Sequence, residues 1–173
     1  KSYENRMELQ NSLSSYTNTN YDYKKASYCV ELAMVCLVEG KFPSSEHELL
    51  SLLGVGYKVA HVVLWEEYKH AIGIPCDIHM CRIFNALGWV TTKNVSKEKI
   101  TYNMSLTSKQ MESWLPQRMW GDANRIYAGL GQLINDRENK KFVSSNLIKE
   151  AKKKGSKYVK HVTMILTEYN ITI

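Results

Sequence analysis

The segment Leu53-Gly54-Val55-Gly56-Tyr57-Lys58 brings two glycines and a primary amine together, and Asp77 follows nineteen positions after Lys58 in Pro75-Cys76-Asp77-Ile78-His79. Glycines two apart let a tight turn offer the backbone N–H groups of Gly54, Val55 and Gly56 to a phosphate, and a helix opening directly afterwards favours negative charge. An amine at that point is a candidate nucleophile once deprotonated, which burial in an apolar hairpin and neighbouring positive charge would promote. A carboxylate downstream suits a cation that builds up during reaction. His79 and Arg82 follow Asp77 closely; either could orient its carboxylate or contact a phosphate backbone, and a satisfied histidine and a surface ion pair explain them equally well. The plainer alternatives are that Asp77 only caps a helix and that Lys58 is an exposed helix lysine touching phosphate.

The elements that must position these residues read as helices. From Tyr23 onward Ala26, Val30, Ala33, Met34 and Leu37 fall at helical spacing until Gly40 and Pro43. Ser45 with Glu48 forms a capping box that opens a short helix through Leu49, Leu50, Leu52 and Leu53. Gly54 ends it by permitting a left-handed backbone, and Tyr57 to about His70 reads as the partner helix. After Gly73 and Pro75, Asp77 lies near the start of another helix, in which Ile78, Cys81, Ile83 and Phe84 supply the apolar positions. Residues 91–105 read as a polar connection with a helix start at Ser96 or Ser105, followed by helices over Gln110–Trp114 and Gln117–Ile134 split by Pro116. Trp114 and Trp120 are assigned to the core, and Gly129 and Gly131 to a close helix crossing. The remainder predicts one or two basic helices, with Tyr158, Val159, Val162, Ile165 and Leu166 as the packing stripe. Residues 1–22 predict a short helix around Met7, Leu9 and Leu13 running into a loop. No stretch alternates as a sheet and no internal repeat is visible, so the fold class is all-α.

Composition narrows the classes further. With 44% hydrophobic residues in 173, the chain has the makings of a packed core. The longest apolar candidates are broken by Glu31, Glu39 and His61, which argues against a membrane partner. The net charge is +6 and the pI about 9.0, with lysines concentrated between Lys140 and Lys160. Such a surface attracts polyanions, although a solvated helix face accounts for those lysines equally well when they are considered alone. Cys29, Cys36, Cys76 and Cys81 have neither zinc-site nor disulfide-framework spacing and read as reduced packing residues. The chain opens on Lys1, so a start segment is expected to be missing and any targeting peptide with it.

Across roughly Tyr23 to Gln132 the sequence resembles the helix-hairpin-helix DNA glycosylases, most closely the eukaryotic endonuclease III-like branch. The resemblance rests on Tyr23-Lys24-Lys25-Ala26, Phe42-Pro43-Ser44, the Gly54-Val55-Gly56 turn, Ala60-His61, Cys76-Asp77-Ile78-His79, Arg82-Ile83, Leu87-Gly88-Trp89, Trp114-Leu115-Pro116 and Gly129-Leu130-Gly131-Gln132. It implies Lys58 as the amine that attacks C1′ of a flipped nucleotide and Asp77 as the carboxylate that stabilises the oxocarbenium-like sugar and assists proton transfer. Gly54, Val55, Gly56 and Tyr57, with His79 and Arg82, become the DNA-binding residues. The sequence departs from the family's pattern in two places: Leu53 stands where proline is usual, and no cysteine follows Gln132 to form the four-cysteine iron–sulfur loop.

The expected architecture is therefore a helix-hairpin-helix glycosylase core over residues 23–134, between a polar segment (1–22) and a basic helical segment (135–173). One lobe is expected to be an incomplete helical barrel, lacking a recognisable residue to fill the hole left by the flipped base, and the second lobe to be helical. No metal or cofactor is expected. The resemblance implies a bifunctional glycosylase and abasic-site lyase of base excision repair. It would act as a monomer on oxidised pyrimidines or abasic sites in duplex DNA, in the nucleus and also the mitochondrion. An oxidised-purine glycosylase and a non-catalytic hairpin DNA-binding module are the alternatives.

Overall fold

Helix α1 forms because twenty consecutive residues, Asn20–Glu39, contain neither glycine nor proline, and it stops where Gly40 takes a φ of +66°. The computed structural model describes residues 20–97 and 99–172, so the helix expected around Met7, Leu9 and Leu13 lies outside the described residues. Eight α-helices, one 3₁₀ turn and one two-stranded ribbon make up the described chain, which is mainly helical as the sequence predicts. The chain divides into two compact units, with the boundary between Tyr68 and Lys69.

In the first unit, α2 (Glu46–Leu50) is opened by the expected capping box: Ser45 Oγ accepts from the Glu48 amide, and the Glu48 carboxylate accepts from the Ser45 amide. Helix α3 (Tyr57–Tyr68) packs against α2 around Leu49, Ala60 and Leu64. At 2.8 Å, His61 Nε2 meets Glu46 Oε1 and joins the two helices. Helix α1 contributes buried Ala26 and Val30, but Cys29 is exposed and Cys36 half-buried, so the expected core role for that pair is corrected. Met34 and Leu37 of the same stripe are exposed as well.

The second unit is built on α4 (Ile78–Ala86), which is followed by β1 (Lys93–Val95), β2 (Ile100–Tyr102), α5 (Met104–Glu112), the 3₁₀ turn Gln117–Met119, α6 (Trp120–Asn135), α7 (Lys140–Lys154) and α8 (Ser156–Glu168). Met80, Cys81, Ile83 and Phe84 of α4 are fully buried against α6 and α8, meeting Ile134 and Leu166. Burying a side chain the size of Phe84 or Ile83 contributes about 1.5–3 kcal/mol each. Of the expected α8 stripe, Ile165 and Leu166 are buried and Val162 packs on the core, whereas Tyr158 is exposed.

The ribbon corrects the reading of residues 91–105 as a connection. Lys93 pairs with Tyr102, Asn94 with Thr101 and Val95 with Ile100, antiparallel. Its strands are three residues long and almost wholly exposed, so no alternation of apolar and polar residues marks them. Asn85 fixes the start of the ribbon, its Oδ1 accepting from the Thr92 and Lys93 amides at 2.9 Å each. Neither Ser96 nor Ser105 starts the next helix. Ser96 closes the ribbon loop on Lys99, and Asn103 caps α5 by accepting from the Leu106 amide. The helix expected over Gln110–Trp114 is the last part of α5 and the turn after it.

Candidate nucleic-acid and catalytic residues

The first unit holds the glycine turn and the lysine. Leu52 and Val55 close successive turns after α2, their amides donating to Leu49 O and Leu52 O at 3.2 Å. Gly54 sits between them with a φ of +79°, and a Cβ there would run into the Tyr28 ring. Both the backbone angle and the ring demand glycine. Gly56 differs: its φ is not positive, and a Cβ built on it meets nothing within 4 Å. Neither backbone angle nor crowding requires glycine at position 56, and the surface above it is open. Val55 was expected to offer its amide outward, but that N–H is bonded to Leu52.

Helix α3 begins right after Gly56, whose carbonyl accepts from the Ala60 amide at 3.0 Å. The first-turn amides of such a helix have no carbonyl within the helix to bond, and their partial positive charge favours an anion. Tyr57 is exposed beside them, its ring edge-on to His61. Lys58, the second residue of α3, is exposed rather than buried in the hairpin. Burial, one expected route to its activation, is not supplied by this unit.

The second unit holds Asp77, His79 and Arg82. Asp77 is the N-cap of α4, with extended backbone and Oδ1 accepting from the Met80 amide at 3.0 Å. It is 8% exposed, unusual for a carboxylate. The loop before it is fixed from three sides. Glu112 accepts from the Ile74 amide at 2.7 Å, Ser108 Oγ donates to Ile74 O at 2.6 Å, and Asn124 donates to Pro75 O at 2.6 Å. Cys76 and Cys81 flank the cap as buried thiols with sulfurs 3.6 Å apart, in the packing role expected of them. The bond with Cys76 and a second to Thr107 draw the Cys81 thiol below its usual range against the effect of burial.

His79 and Arg82 converge on one residue that sequence reasoning did not single out. Tyr169, just past the end of α8, places its hydroxyl 3.0 Å from His79 Nδ1 and its ring 5.4 Å from the Arg82 guanidinium carbon. Gly131 makes this approach possible, since a Cβ there would overlap both the tyrosine hydroxyl and His79 Cβ. Of the two glycines assigned to a close crossing, Gly131 fits and Gly129 has nothing within 4 Å. Trp120 is half-buried and donates to Leu115 O, but Trp114 is 48% exposed, edge-on to Trp89.

The iron–sulfur group of the resembling family finds no donor set among these residues. The four cysteines are divided between α1 and the Asp77 cap, and among the described residues no group of three or more His, Cys, Asp or Glu side chains could hold a metal ion. Nor is any described helix long and apolar enough to cross a membrane.

A capped helix, a turn with a left-handed glycine and a second helix with Lys58 in its first turn make residues 46–68 a helix-hairpin-helix element within a mainly helical fold. No family model matches the chain, but individual proteins do. It is 40% identical over 113 residues to endonuclease III homolog 1, chloroplastic, of Arabidopsis thaliana, covering 64% of this chain and 29% of that protein. It is 38% identical over 96 residues to endonuclease III-like protein 1 of Mus musculus, covering 56% and 30%. It is 35% identical over 119 residues to endonuclease III of Thermotoga maritima, covering 67% and 51%. The chain belongs with the endonuclease III-like helix-hairpin-helix proteins and spans between about a third and a half of the length of these relatives.

Proposed function

We propose that the chain is a bifunctional DNA glycosylase and abasic-site lyase acting on oxidised pyrimidines in duplex DNA. The observation that carries this reading is Asp77: a carboxylate buried at a helix start and braced by Glu112, Ser108 and Asn124 keeps its place while charge develops on a bound sugar. The glycine turn adds support, because Gly54 directs the chain into α3 with first-turn amides suited to a phosphate, an interaction that positions a strand without reading its sequence.

In this scheme the Lys58 amine, having lost its proton, attacks C1′, and the glycosidic bond breaks as the base leaves with a proton. The sugar ring opens to a protonated imine on Nζ. Loss of a C2′ proton then expels the 3′ phosphate, and water hydrolyses the imine to regenerate the lysine. Asp77 opposes the positive charge on the sugar and relays protons. The protein works as a monomer without a metal, on nuclear and mitochondrial DNA. Incubation with an abasic duplex and borohydride tests the reading: reduction of the imine gives a permanent protein–DNA adduct, and its absence would reject lyase chemistry.

The exposure of Lys58 favours a second reading, a hairpin module that binds duplex DNA without acting on it. Tight, salt-dependent binding without any adduct would select it.

A further inference from the structure

Asp77 is the N-cap of α4, which makes Cys76 the residue before the cap and Cys81 the fourth residue of the helix. Side chains at those two positions meet across a helix start and fix the angle at which the chain enters it, and they are ordinarily apolar. Here both are thiols, with sulfurs 3.6 Å apart. The hydrogen bonds around Cys81 set its orientation. The Thr107 hydroxyl donates to Asn103 O, so its oxygen accepts from Thr92 at 2.6 Å and from the Cys81 thiol at 3.3 Å. With its own proton on Thr107, the Cys81 sulfur accepts from Cys76, so one of its lone pairs faces the Cys76 sulfur. Cys76 keeps 6% of its surface open and Cys81 none. Cys29 and Cys36 form no comparable pair: their places on α1 put the backbones about 10 Å apart, beyond the reach of a disulfide.

We propose that Cys76 and Cys81 are an oxidation site, at which a peroxide converts their contact into a disulfide spanning Asp77. The Cys76 sulfur, as thiolate, attacks one peroxide oxygen; the O–O bond breaks, Cys76 becomes a sulfenic acid, and the leaving hydroxide takes up the thiol's proton as water. The Cys81 sulfur then attacks the Cys76 sulfur, the S–O bond breaks, and a second water leaves with the Cys81 proton. Two thiols are oxidised and one peroxide is reduced to two waters. Disulfide sulfurs lie about 2.0 Å apart, so the pair must close by about 1.5 Å, and Thr107 loses the thiol as a donor. The loop ahead of Cys76 is held by the bonds of Glu112, Ser108 and Asn124 to Ile74 and Pro75, so the closure is taken up at the cap itself. Oxidation therefore displaces the Asp77 carboxylate and slows base excision. That consequence rests on the reading of Asp77 as the carboxylate of the reaction, whereas formation of the bridge does not.

Treatment of the reduced protein with hydrogen peroxide, then alkylation in denaturant and digestion with trypsin, tests the proposal. Cleavage after Lys69 and Arg82 leaves both cysteines in one peptide. That peptide should lack two hydrogens and resist alkylation until dithiothreitol is added. Cys81→Ser, whose hydroxyl can still donate to Thr107, should form no bridge and leave Cys76 as a sulfenic acid that dimedone captures. With Cys29→Ser and Cys36→Ser in place to remove the other thiols, the bridged protein should excise an oxidised pyrimidine roughly tenfold to a hundredfold more slowly than the reduced form. Dithiothreitol should restore the rate. Sulfinic acid in place of the bridge, or both thiols still open to alkylation after peroxide, overturns the proposal. An unchanged excision rate with the bridge formed overturns the effect on Asp77. If the reduced protein excises nothing, the reading of Asp77 fails, and the peptide alone decides whether the pair is an oxidation site.

Discussion

Replacing Asp77 separates the two tasks assigned to its carboxylate. As the N-cap of α4, Oδ1 accepts one bond from the Met80 amide at 3.0 Å. Asparagine presents an oxygen of the same kind at the same reach, so Asp77→Asn should keep the cap, whereas Asp77→Ala deletes it and strands a buried N–H. Loss of a cap costs about 0.5–2 kcal/mol. For a cooperative unit of this size, 1 kcal/mol corresponds to roughly 4–8 °C in melting temperature. The alanine variant should therefore melt several degrees below the native protein and the asparagine variant close to it. Chemistry should follow a different order: both variants lack the negative charge, and removing one preorganised electrostatic group costs on the order of 10²–10³ in rate. Melts followed by circular dichroism, together with single-turnover excision on a duplex containing an oxidised pyrimidine, measure the two effects separately. Excision by Asp77→Asn at the native rate would show that the carboxylate only caps a helix.

The glycine turn should also show two separable effects: Gly54→Ala should destabilise the first unit by roughly 1–3 kcal/mol through its positive φ and the Tyr28 overlap. Gly56→Val should leave the fold intact while weakening duplex binding and flattening its salt dependence, and a titration at several salt concentrations checks this. Lys41 and the Ser44 and Ser45 donors hold the Glu48 carboxyl down at about 2, so its contribution to folding is present above the ordinary carboxylate range and lost as pH falls from about 4.5 toward 2. Acid melts of Lys41→Met should show a smaller loss over that window, and an identical acid profile would refute the assignment. With no cysteine after Gln132, the 173-residue chain should purify colourless. Near-stoichiometric iron by elemental analysis would contradict this.

Features of the site encoded within a few residues were legible in the sequence. The Ser45–Glu48 box, the left-handed Gly54 and the capping position of Asp77 each depend on neighbours three or four positions away, and the structure has all three. What escaped depends on distant partners. Nothing near Gly56 distinguishes it from Gly54; the Tyr28 ring does, from another helix. Nothing near His79 announces Tyr169, and the bracing of the Asp77 loop comes from Glu112, Ser108 and Asn124, more than thirty residues downstream. The exposure of Lys58 was also hidden, because Tyr57 and Val59 beside it are apolar and yet exposed themselves.

Lys58 is proposed to form a covalent imine with an abasic sugar. Its most direct test is borohydride trapping on an abasic duplex, followed by proteolysis and mass spectrometry of the adduct. One modified peptide is expected, with the deoxyribose remnant on Lys58, and the adduct should be lost in Lys58→Ala while duplex affinity is retained. A native yield of adduct from Lys58→Ala, or a modified peptide mapping to the lysines between Lys140 and Lys160, would contradict it.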